Sequence, residues 1–373
     1  MTLLDVIETA NTGIWPAQRI KAAIERSEIF SESGIPDAQI QPASLDLRLG
    51  GSAYRVPASF LPGKDWTVRD KLLEIASEKI DLSGGAQLEK GNVYVIPLQE
   101  MLRLKKRVSG SANPKSSTGR LDIFARVITD YGTEFDSVAP NYHGPLWLEV
   151  APRSFNVVAR TGSKLAQLRI RTGSPKRSDN AIRELVENQS ILIAEHQEPD
   201  IKAGKLALSV DVHGDPLSGL VGYSAKRTDA PVDVDKINFY EPAEFWDPVH
   251  RPKRGGLILN TSDFYILASK ERVVIPPDYA ADMVAYDTLV GEFRVHYAGF
   301  FDPGFGYTGS KPTGAKIVLE VRSHEVPFMI EDNQIVGRVI FEKLRQHTDR
   351  PYGSGIGSNY QGQALALSKQ FRR

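Results

Sequence analysis

The 373-residue chain has no cysteine, no net charge and no long apolar run, and each absence excludes a class of protein. Without cysteine the protein can form neither disulfide bonds nor a thiolate zinc site. Equal numbers of basic and acidic residues, 46 of each, give no general attraction to nucleic acid or to anionic membranes. No stretch approaches the ~20 apolar residues of a membrane span, and the first residues lack the basic and apolar regions of a signal peptide. We therefore expect a cytoplasmic protein whose partners include neither nucleic acid nor a membrane.

The composition that remains is that of a globular protein with room for two domains. Hydrophobic residues make up 41% of the chain and charged residues 25%, and the length suits two domains of ordinary size. A polar stretch rich in turn formers covers residues 171–180. We therefore predict one domain at residues 1–175 and a second at residues 176–373.

Five segments of the first half recur in the same order in the second half. The paired segments are residues 20–30 and 182–192, 44–46 and 209–211, 91–100 and 262–271, 146–150 and 317–321, and 158–168 and 329–339. The period is much longer than that of a solenoid repeat, which indicates a duplicated domain. Each copy has one clear helical pattern near its start, followed by short alternating apolar runs broken by turn residues. This pattern predicts a mainly β fold of barrel or sandwich type in each copy.

The segment Lys115-Ser116-Ser117-Thr118-Gly119-Arg120 has the composition of an anion-binding turn. Hydroxyl and backbone N–H groups can donate to phosphate oxygens, and the two basic side chains add charge. A motif this short is also common in solvated turns. On these residues alone, both interpretations stay open.

A second stretch, Tyr297–Gly306, contains the turn sequence Asp302-Pro303-Gly304-Phe305. The strand that follows carries Glu320 among apolar residues. We predict a hairpin whose backbone edges could hold a flat base with a carboxylate nearby. An ordinary surface hairpin is the alternative.

Taken together, these segments resemble the dCTP deaminase family of the trimeric dCTP deaminase/dUTPase superfamily. The resemblance rests on Ser-Ser-x-x-Arg at residues 116–120, the Asp-Pro-Gly-Phe turn, the Leu-Glu pair before Val321, and Tyr-Gln-Gly-Gln at residues 360–363. It implies two tandem dUTPase-like domains, each a distorted β-barrel or jelly roll with short helices. It also implies hydrolytic deamination of dCTP to dUTP and ammonia, feeding dUMP and dTTP synthesis.

The same resemblance implies Mg²⁺ accompanying the triphosphate, no zinc and no catalytic metal. It implies a homo-oligomer, with a trimer favoured, and leaves open whether dTTP is a regulator. The Gly/Ser-rich residues 352–363 would then be a lid, although a disordered end is the ordinary reading of such a stretch.

The two copies keep different parts of the family pattern. The second copy has residues 285–289 where the first has the Ser-Ser-x-x-Arg motif, and the first has residues 135–140 where the second has the Asp302 turn. Because the family builds each site between subunits, we predict a composite site. The predicted catalytic residues are Glu320 as acid and base, its first-copy counterpart Glu149, Ser116 and Arg120. The predicted substrate-binding residues are Lys115, Ser117, Asp302, Phe305, Tyr360 and Gln363.

Three other functions stay open at this point: a dUTPase, an enzyme that performs both steps, and a non-catalytic nucleotide-binding regulator. A glutamate in the strand after the predicted hairpin favours deamination. Retention of Ser116, Arg120 and Glu320 argues against loss of all catalysis.

Overall fold

The computed structural model describes residues 12–173, 178–193, 199–284, 293–295, 299–323, 326–353 and 364–373. The chain forms two compact units. The first consists of Met1–Pro175, Asp229–Lys236 and Glu342–Arg350, and the second of Lys176–Thr228, Ile237–Phe341 and Pro351–Arg373. Two segments from the second half of the chain therefore belong to the first unit. The sequence-based division at residue 175 gave no sign of this exchange.

Strands predominate in both units, which confirms the predicted mainly β fold. The helices are α1 (Ala17–Glu25), α2 (Val68–Ile75), α3 (Ser116–Gly119), α4 (Asp179–Gln189) and α5 (Pro242–Phe245). Helices α1 and α4 occupy the two positions where helical apolar spacing was recognised. No helix in the described ranges is long and apolar enough to cross a membrane.

The strands before residue 175 are short except for the two long central ones. They are β1 (Gly13–Ile14), β2 (Ile29–Phe30), β3 (Leu45–Leu47), β4 (Ser52–Val56), β5 (Glu78–Asp81), β6 (Ala86–Leu88), β7 (Val93–Arg103), β8 (Val108–Pro114), β9 (Ile123–Thr129), β10 (Ser137–Val138), β11 (His143–Pro152), β12 (Val157–Ala159) and β13 (Ala166–Thr172).

The strands after residue 175 repeat this succession. They are β14 (Leu192–Ile193), β15 (Ile201–Lys202), β16 (Lys205–Ser209), β17 (Leu220–Ala225), β18 (Val232–Asp233), β19 (Trp246–His250), β20 (Leu257–Leu259), β21 (Phe264–Val273), β22 (Tyr279–Val284), β23 (Phe293–Val295), β24 (Phe300–Phe301), β25 (Tyr307–Thr308), β26 (Lys311–Pro312), β27 (Ala315–Ser323), β28 (Phe328–Ile330) and β29 (Ile335–Lys343).

In the first unit, one sheet has the order β5-β4-β7-β11-β9 and another the order β1-β13-β8-β10, with β3 on β13. The second unit has the corresponding sheets β19-β17-β21-β27-β23 and β15-β16-β29-β22-β24. The central pairings match in register, because Glu149 lies opposite Val95 in the first unit and Glu320 opposite Ile266 in the second. The matching topology and register confirm the duplication.

The central strands have a core face and an opposite face. In β27, Ile317, Leu319 and Val321 belong to the apolar core of the second unit, so Glu320 points to the other side of the sheet. In β11, the same alternation leaves Trp147 and Glu149 on the side away from Leu148. Trp147 packs there with α2 in a second apolar cluster.

The register of one repeated segment differs from the prediction. The Ser-x-Asp match equated Ser44 with Ser209, but the backbone N–H of Ser209 donates to buried Glu271 (2.9 Å) as that of Arg48 does to buried Glu100 (2.8 Å). Glu100 and Glu271 hold the same position in β7 and β21. Ser209 is therefore the structural counterpart of Arg48, and the prediction that paired it with Ser44 was wrong.

We call Asp229–Lys236 and Glu342–Arg350 the exchanged segments, and both are integral parts of the first unit. Strand β18 pairs in parallel with β12, with Val232 opposite Val157, and Val232 is fully buried. Arg160 donates to Asp233 (2.9 and 2.6 Å) and to Asp235 (2.6 Å).

In the second exchanged segment, the backbone N–H of Arg345 donates to the carbonyl of Ile14 (2.9 Å). The hydroxyl of Thr348 donates to the carbonyl of Pro42 (3.0 Å). Arg350 forms a double hydrogen bond with Asp37 (2.6 and 3.0 Å). Two separate segments of the second half thus complete the first unit.

Candidate functional site

The predicted anion-binding turn lies at the end of β8, where the chain turns into the single-turn helix α3. The backbone N–H of Thr118 and that of Gly119 donate to the carbonyl of Lys115 (2.8 and 3.0 Å). The hydroxyl of Thr118 donates to the carbonyl of Leu165 (2.8 Å), which fixes the turn to the strand beside it. Ser117 and Arg120 are buried. The turn is therefore rigidly held, and its partly exposed members are Lys115 and Ser116.

Lys115, predicted to bind phosphate, forms an ion pair with the buried carboxylate of Asp46. A second ammonium, that of Lys164, lies 3.9 Å from the other oxygen of the same carboxylate. One buried acid thus faces two amines, which leaves one positive charge in excess beside the turn. Because the whole chain has no net charge, an anion site needs a local excess of positive charge such as this one.

Glu149 is 1% exposed and bound to the neighbouring strand. The Nε and Nη2 atoms of Arg126 both donate to its Oε1 atom (3.1 and 2.6 Å), and the guanidinium lies 3.5 Å from the ring centre of Phe135. Among the described residues, the Oε2 atom of Glu149 accepts no hydrogen bond. Glu149 is therefore part of a buried ion pair with Arg126, and its predicted catalytic role stays a prediction.

Another acid, Asp136, lies in the same neighbourhood. Its Oδ1 atom accepts a hydrogen bond from the backbone N–H of Val127 (2.8 Å). Burial raises the pKa of Asp136 to about 7, against the effects of that hydrogen bond and of the Arg126 charge, and the charge of Glu149 adds to the rise. No sequence pattern predicts that Arg126 and Asp136 belong to this cluster, because their partners lie on neighbouring strands and not beside them in the chain.

The Asp302 turn has the predicted conformation. The backbone N–H of Phe305 donates to the carbonyl of Asp302 (3.1 Å), and Gly304 has a φ of 92°, as expected for Pro-Gly in the centre of a turn. Asp302 and Phe305 are both buried.

The described strand directly before the turn, β24, pairs with β22 and not with β27, so the predicted hairpin between β24 and β27 was wrong. Strand β27 instead pairs in antiparallel orientation with β23, which precedes residues 297–306. Residues 302–304 therefore connect one sheet to another. A tight turn reverses the chain direction but does not determine which strands pair on either side of it.

The first unit has the same turn without the carboxylate. There the backbone N–H of Tyr142 donates to the carbonyl of Ala139 (3.2 Å), and Asn141 has a φ of 64°. The strands before the two turns match as well, since Val138 lies opposite Gly110 as Phe301 lies opposite Ala281. Ala139 therefore occupies the position of Asp302.

Glu320 is 5% exposed on the face of β27 away from the core. The predicted residues Tyr360 and Gln363, and residues 285–289, lie outside the described ranges. The structure brings Lys115, Ser116, Ser117 and Arg120 together in the first unit, and Asp302 and Phe305 together in the second. Whether both sets join in one composite site stays a prediction.

One group of side chains in the described ranges could in principle hold a metal ion: Asp211, His213 and Asp332. Burial is the largest influence on Asp211 and raises its pKa, but the Lys316 hydrogen bond, the backbone N–H of Gly214 and the Lys316 charge together outweigh burial and lower the pKa. The pKa of Asp332 is lowered in the same way, because the Lys270 hydrogen bond, the backbone N–H of Val212 and the Lys270 charge together outweigh burial. Since each carboxylate already has an ammonium partner, the group fits an ion-pair network better than a metal site.

Comparison with protein-family models shows two matches that together span most of the chain. Residues 11–174 match the 2'-deoxycytidine 5'-triphosphate deaminase N-terminal domain, and residues 178–371 match the corresponding C-terminal domain. Among solved structures, the chain is similar to that of 2'-deoxycytidine 5'-triphosphate deaminase from Agrobacterium tumefaciens. The two are 48% identical with a TM-score of 0.85, over 91% of this chain and 100% of the other. This match confirms the dUTPase-like fold.

Curated relatives match over shorter stretches. The dUMP-forming dCTP deaminase of Halobacterium salinarum is 34% identical over 110 residues, which is 28% of this chain and 52% of the relative. The dCTP deaminase of Natronomonas pharaonis is 33% identical over 127 residues, 33% of this chain and 60% of the relative. The chain thus spans about half to three-fifths of the length of these relatives.

Proposed function

The chain belongs to the dCTP deaminase family, and from that premise we propose that it catalyses the hydrolytic deamination of dCTP to dUTP and ammonia. The observation that carries the proposal is the 48% identity, over 91% of the chain, to a solved protein described as a dCTP deaminase. The retained Glu320 and the rigid turn at Ser116 support it, since they are the kinds of group that this reaction requires.

The reaction adds water to C4 of cytosine and expels the exocyclic amine. Glu320 takes a proton from the attacking water as the water oxygen bonds to C4, and it delivers that proton to N3. Glu320 then takes the proton of the new C4 hydroxyl and gives it to the amine as the C4–N4 bond of the tetrahedral intermediate breaks, which leaves the C4 carbonyl of uracil and ammonia. General acid–base assistance of this kind is worth about 10²–10⁴-fold.

The remaining predicted residues bind the nucleotide. Ser116, Ser117 and Arg120 hold the triphosphate, with Lys115 adding charge, through hydroxyl and charge-assisted hydrogen bonds. Asp302 and Phe305 contact the nucleoside, and Tyr360 and Gln363 cover it. Mg²⁺ accompanies the triphosphate on phosphate oxygens, which suits its preference for oxygen ligands and retained water.

The resemblance to a trimeric superfamily leads us to propose a homo-oligomer, with a trimer favoured, and which chains supply the two halves of the composite site stays open. dTTP is a candidate regulator because it shares the triphosphate and the deoxyribose with the substrate. Light scattering of the purified protein tests the first proposal. Competition between dTTP and dCTP tests the second.

A bifunctional enzyme that releases dUMP is the second candidate function. It is favoured by the relatives described as dUMP-forming dCTP deaminases, including that of Beutenbergia cavernae, which is 34% identical over 110 residues. In that case the same active site would also hydrolyse the bond between the α- and β-phosphates.

The test is to incubate the protein with Mg²⁺ and dCTP and to quantify ammonia and all nucleotide products by chromatography. Equal amounts of dUTP and ammonia support deamination alone, and dUMP with pyrophosphate supports the bifunctional enzyme. Cleavage of added dUTP without release of ammonia from dCTP would identify a dUTPase. No turnover of either nucleotide, with binding retained, would identify a regulator.

A further inference from the structure

The short segment Pro351–Gly353 packs against the Asp302 turn within the second unit. The backbone N–H of Tyr352 donates to the carbonyl of Pro303 (2.7 Å). The ring of Tyr352 lies 5.9 Å from that of Phe305 at an interplanar angle of 55°, and Phe305 in turn lies 5.4 Å from Phe301. Tyr352 thus contacts the turn through both its backbone and its side chain.

Gly304 is where the turn and this segment come closest. A Cβ atom on Gly304 would lie 2.9 Å from the backbone nitrogen of Tyr352 and 3.1 Å from the Cβ atom of Pro351. Real Cβ atoms essentially never come as close as the first of these distances. The contact therefore requires a glycine.

The first unit shows whether glycine is needed for the turn conformation or only for the close contact with Pro351 and Tyr352. Its equivalent turn has Asn141 at the position of Gly304, with a positive φ of 64° and the same closing hydrogen bond. Asparagine tolerates the left-handed region better than most residues. The turn itself can thus do without glycine, and it is the close approach of Pro351 and Tyr352 that demands one in the second unit.

We propose that Tyr352 is a positioning residue that fixes the Asp302 turn for nucleotide binding. This rests on the proposed function, in which Asp302 and Phe305 contact the nucleoside. The ring of Tyr352 holds Phe305 in place, and its N–H group holds the carbonyl of Pro303 at the centre of the turn. Since Tyr352 acts through Pro303 and Phe305, the proposal gives it an effect on nucleotide affinity and not on the chemical step.

Three variants of the full chain test this proposal. Tyr352→Ala removes the ring but keeps the backbone donor, Tyr352→Phe keeps the ring, and Gly304→Asn keeps a residue that the turn tolerates but displaces the segment. Asn141→Gly, at the equivalent turn of the first unit, is the matched control. For each we would measure kcat and KM for dCTP, the dissociation constant of dCTP in a Glu320→Gln background, and the melting temperature.

We expect Tyr352→Ala and Gly304→Asn to raise KM and the dissociation constant about tenfold with kcat within about twofold, a loss typical of one aromatic contact. Tyr352→Phe and Asn141→Gly should match the parent protein. A purely structural role would instead lower the melting temperature while leaving KM unchanged, and that result would overturn the proposal.

Equal losses in Tyr352→Phe and Tyr352→Ala would also overturn the proposal, because the hydroxyl and not the ring would then be responsible. Absence of dCTP turnover in the parent protein would refute the proposed function instead. In that case the dissociation constants still decide whether Tyr352 positions the turn.

Discussion

The two turns that follow β10 and β24 have the same closing hydrogen bond and differ in their side chains. Both are closed by the same hydrogen bond, 3.2 Å long in the first unit and 3.1 Å in the second, and both have a proline at the second position. Only the second has a carboxylate at the first position, and there Tyr352, from later in the chain, contacts the turn. The closing hydrogen bond is thus the same in both units while the side chain at the first position differs.

The glutamates of the two central strands offer a second comparison. Glu149 and Glu320 hold equivalent positions, and both are buried. Glu149 accepts two hydrogen bonds from Arg126 and belongs to a buried ion pair. Both glutamates were predicted to be catalytic, and an equal register does not by itself show an equal role.

The largest expected effect concerns the independence of the two units. A chain of residues 1–175 lacks Val232, Val234 and Leu344, all of which are buried in the first unit. Each buried valine or leucine contributes about 1.5–3 kcal/mol, against the ~5–15 kcal/mol that stabilises a typical protein. We expect residues 1–175 alone to be unfolded by circular dichroism and to become soluble on co-expression with residues 176–373. A cooperative thermal transition of the fragment alone would show that the exchanged segments are dispensable.

The second prediction compares the two glutamates directly. Glu320→Gln removes the proton acceptor and should lower kcat by about 10²–10⁴-fold with an unchanged melting temperature. Glu149→Gln should change kcat less than tenfold and should destabilise the protein by about 2 kcal/mol, because Arg126 loses a charged partner. Comparable losses of kcat in both variants would restore Glu149 as a second catalytic residue.

The third prediction removes the carboxylate from the turn of the second unit and introduces one in the turn of the first. Asp302→Ala should raise KM for dCTP at least tenfold, since it removes a charged hydrogen-bonding group from the proposed nucleoside site. Ala139→Asp introduces the same carboxylate at an exposed position of the equivalent turn and should leave both kinetic parameters within twofold. A change in KM for Ala139→Asp would show that the turn of the first unit also faces a nucleotide.

Sequence reasoning succeeded where a pattern was long and local. The alternating strand around Glu320 is recognisable in both copies, and the positive φ of Gly304 follows from its place after a proline. It failed where the structure depends on contacts with residues that are distant along the chain. Three residues of Ser-x-Asp cannot fix a register that depends on Glu271, and turn residues cannot reveal that β24 and β27 lie in different sheets.

The pairing of Arg126 with Glu149 was missed for the same reason, because strand pairing joins residues that the chain keeps far apart. No property of residues 229–236 distinguishes a strand of the first unit from a loop of the second. Which unit such a segment joins depends on which unpaired strand edge lies close to it, and only the three-dimensional structure shows that.

The smallest expected effect concerns pH and the cluster around Asp136, which is specific to the first unit. The second unit has Gly299 at the position of Asp136. The carbonyl of Gly299 accepts a hydrogen bond from the backbone N–H of Met283 (3.2 Å), as the carbonyl of Asp136 does from that of Ala112 (2.9 Å). Burial raises the pKa of Asp136 from 3.8 to about 7. Between these values the unfolded chain is ionised and the folded chain is not, so folding stability should fall as pH rises from about 4 to 7.

Asp136→Asn keeps an acceptor for the N–H of Val127 and removes the titration. We expect the variant to be more stable than the parent protein at pH 8, by about 1–3 kcal/mol, with the difference disappearing near pH 4. Glu134→Gln removes the same charge from an exposed position of the same loop and should follow the parent protein at every pH. The measurement is a series of thermal unfolding curves from pH 4 to 8. If the Asp136→Asn curve runs parallel to that of the parent, Asp136 does not titrate in this range, and the extra acid of the first unit is simply a neutralised part of its ion-pair cluster.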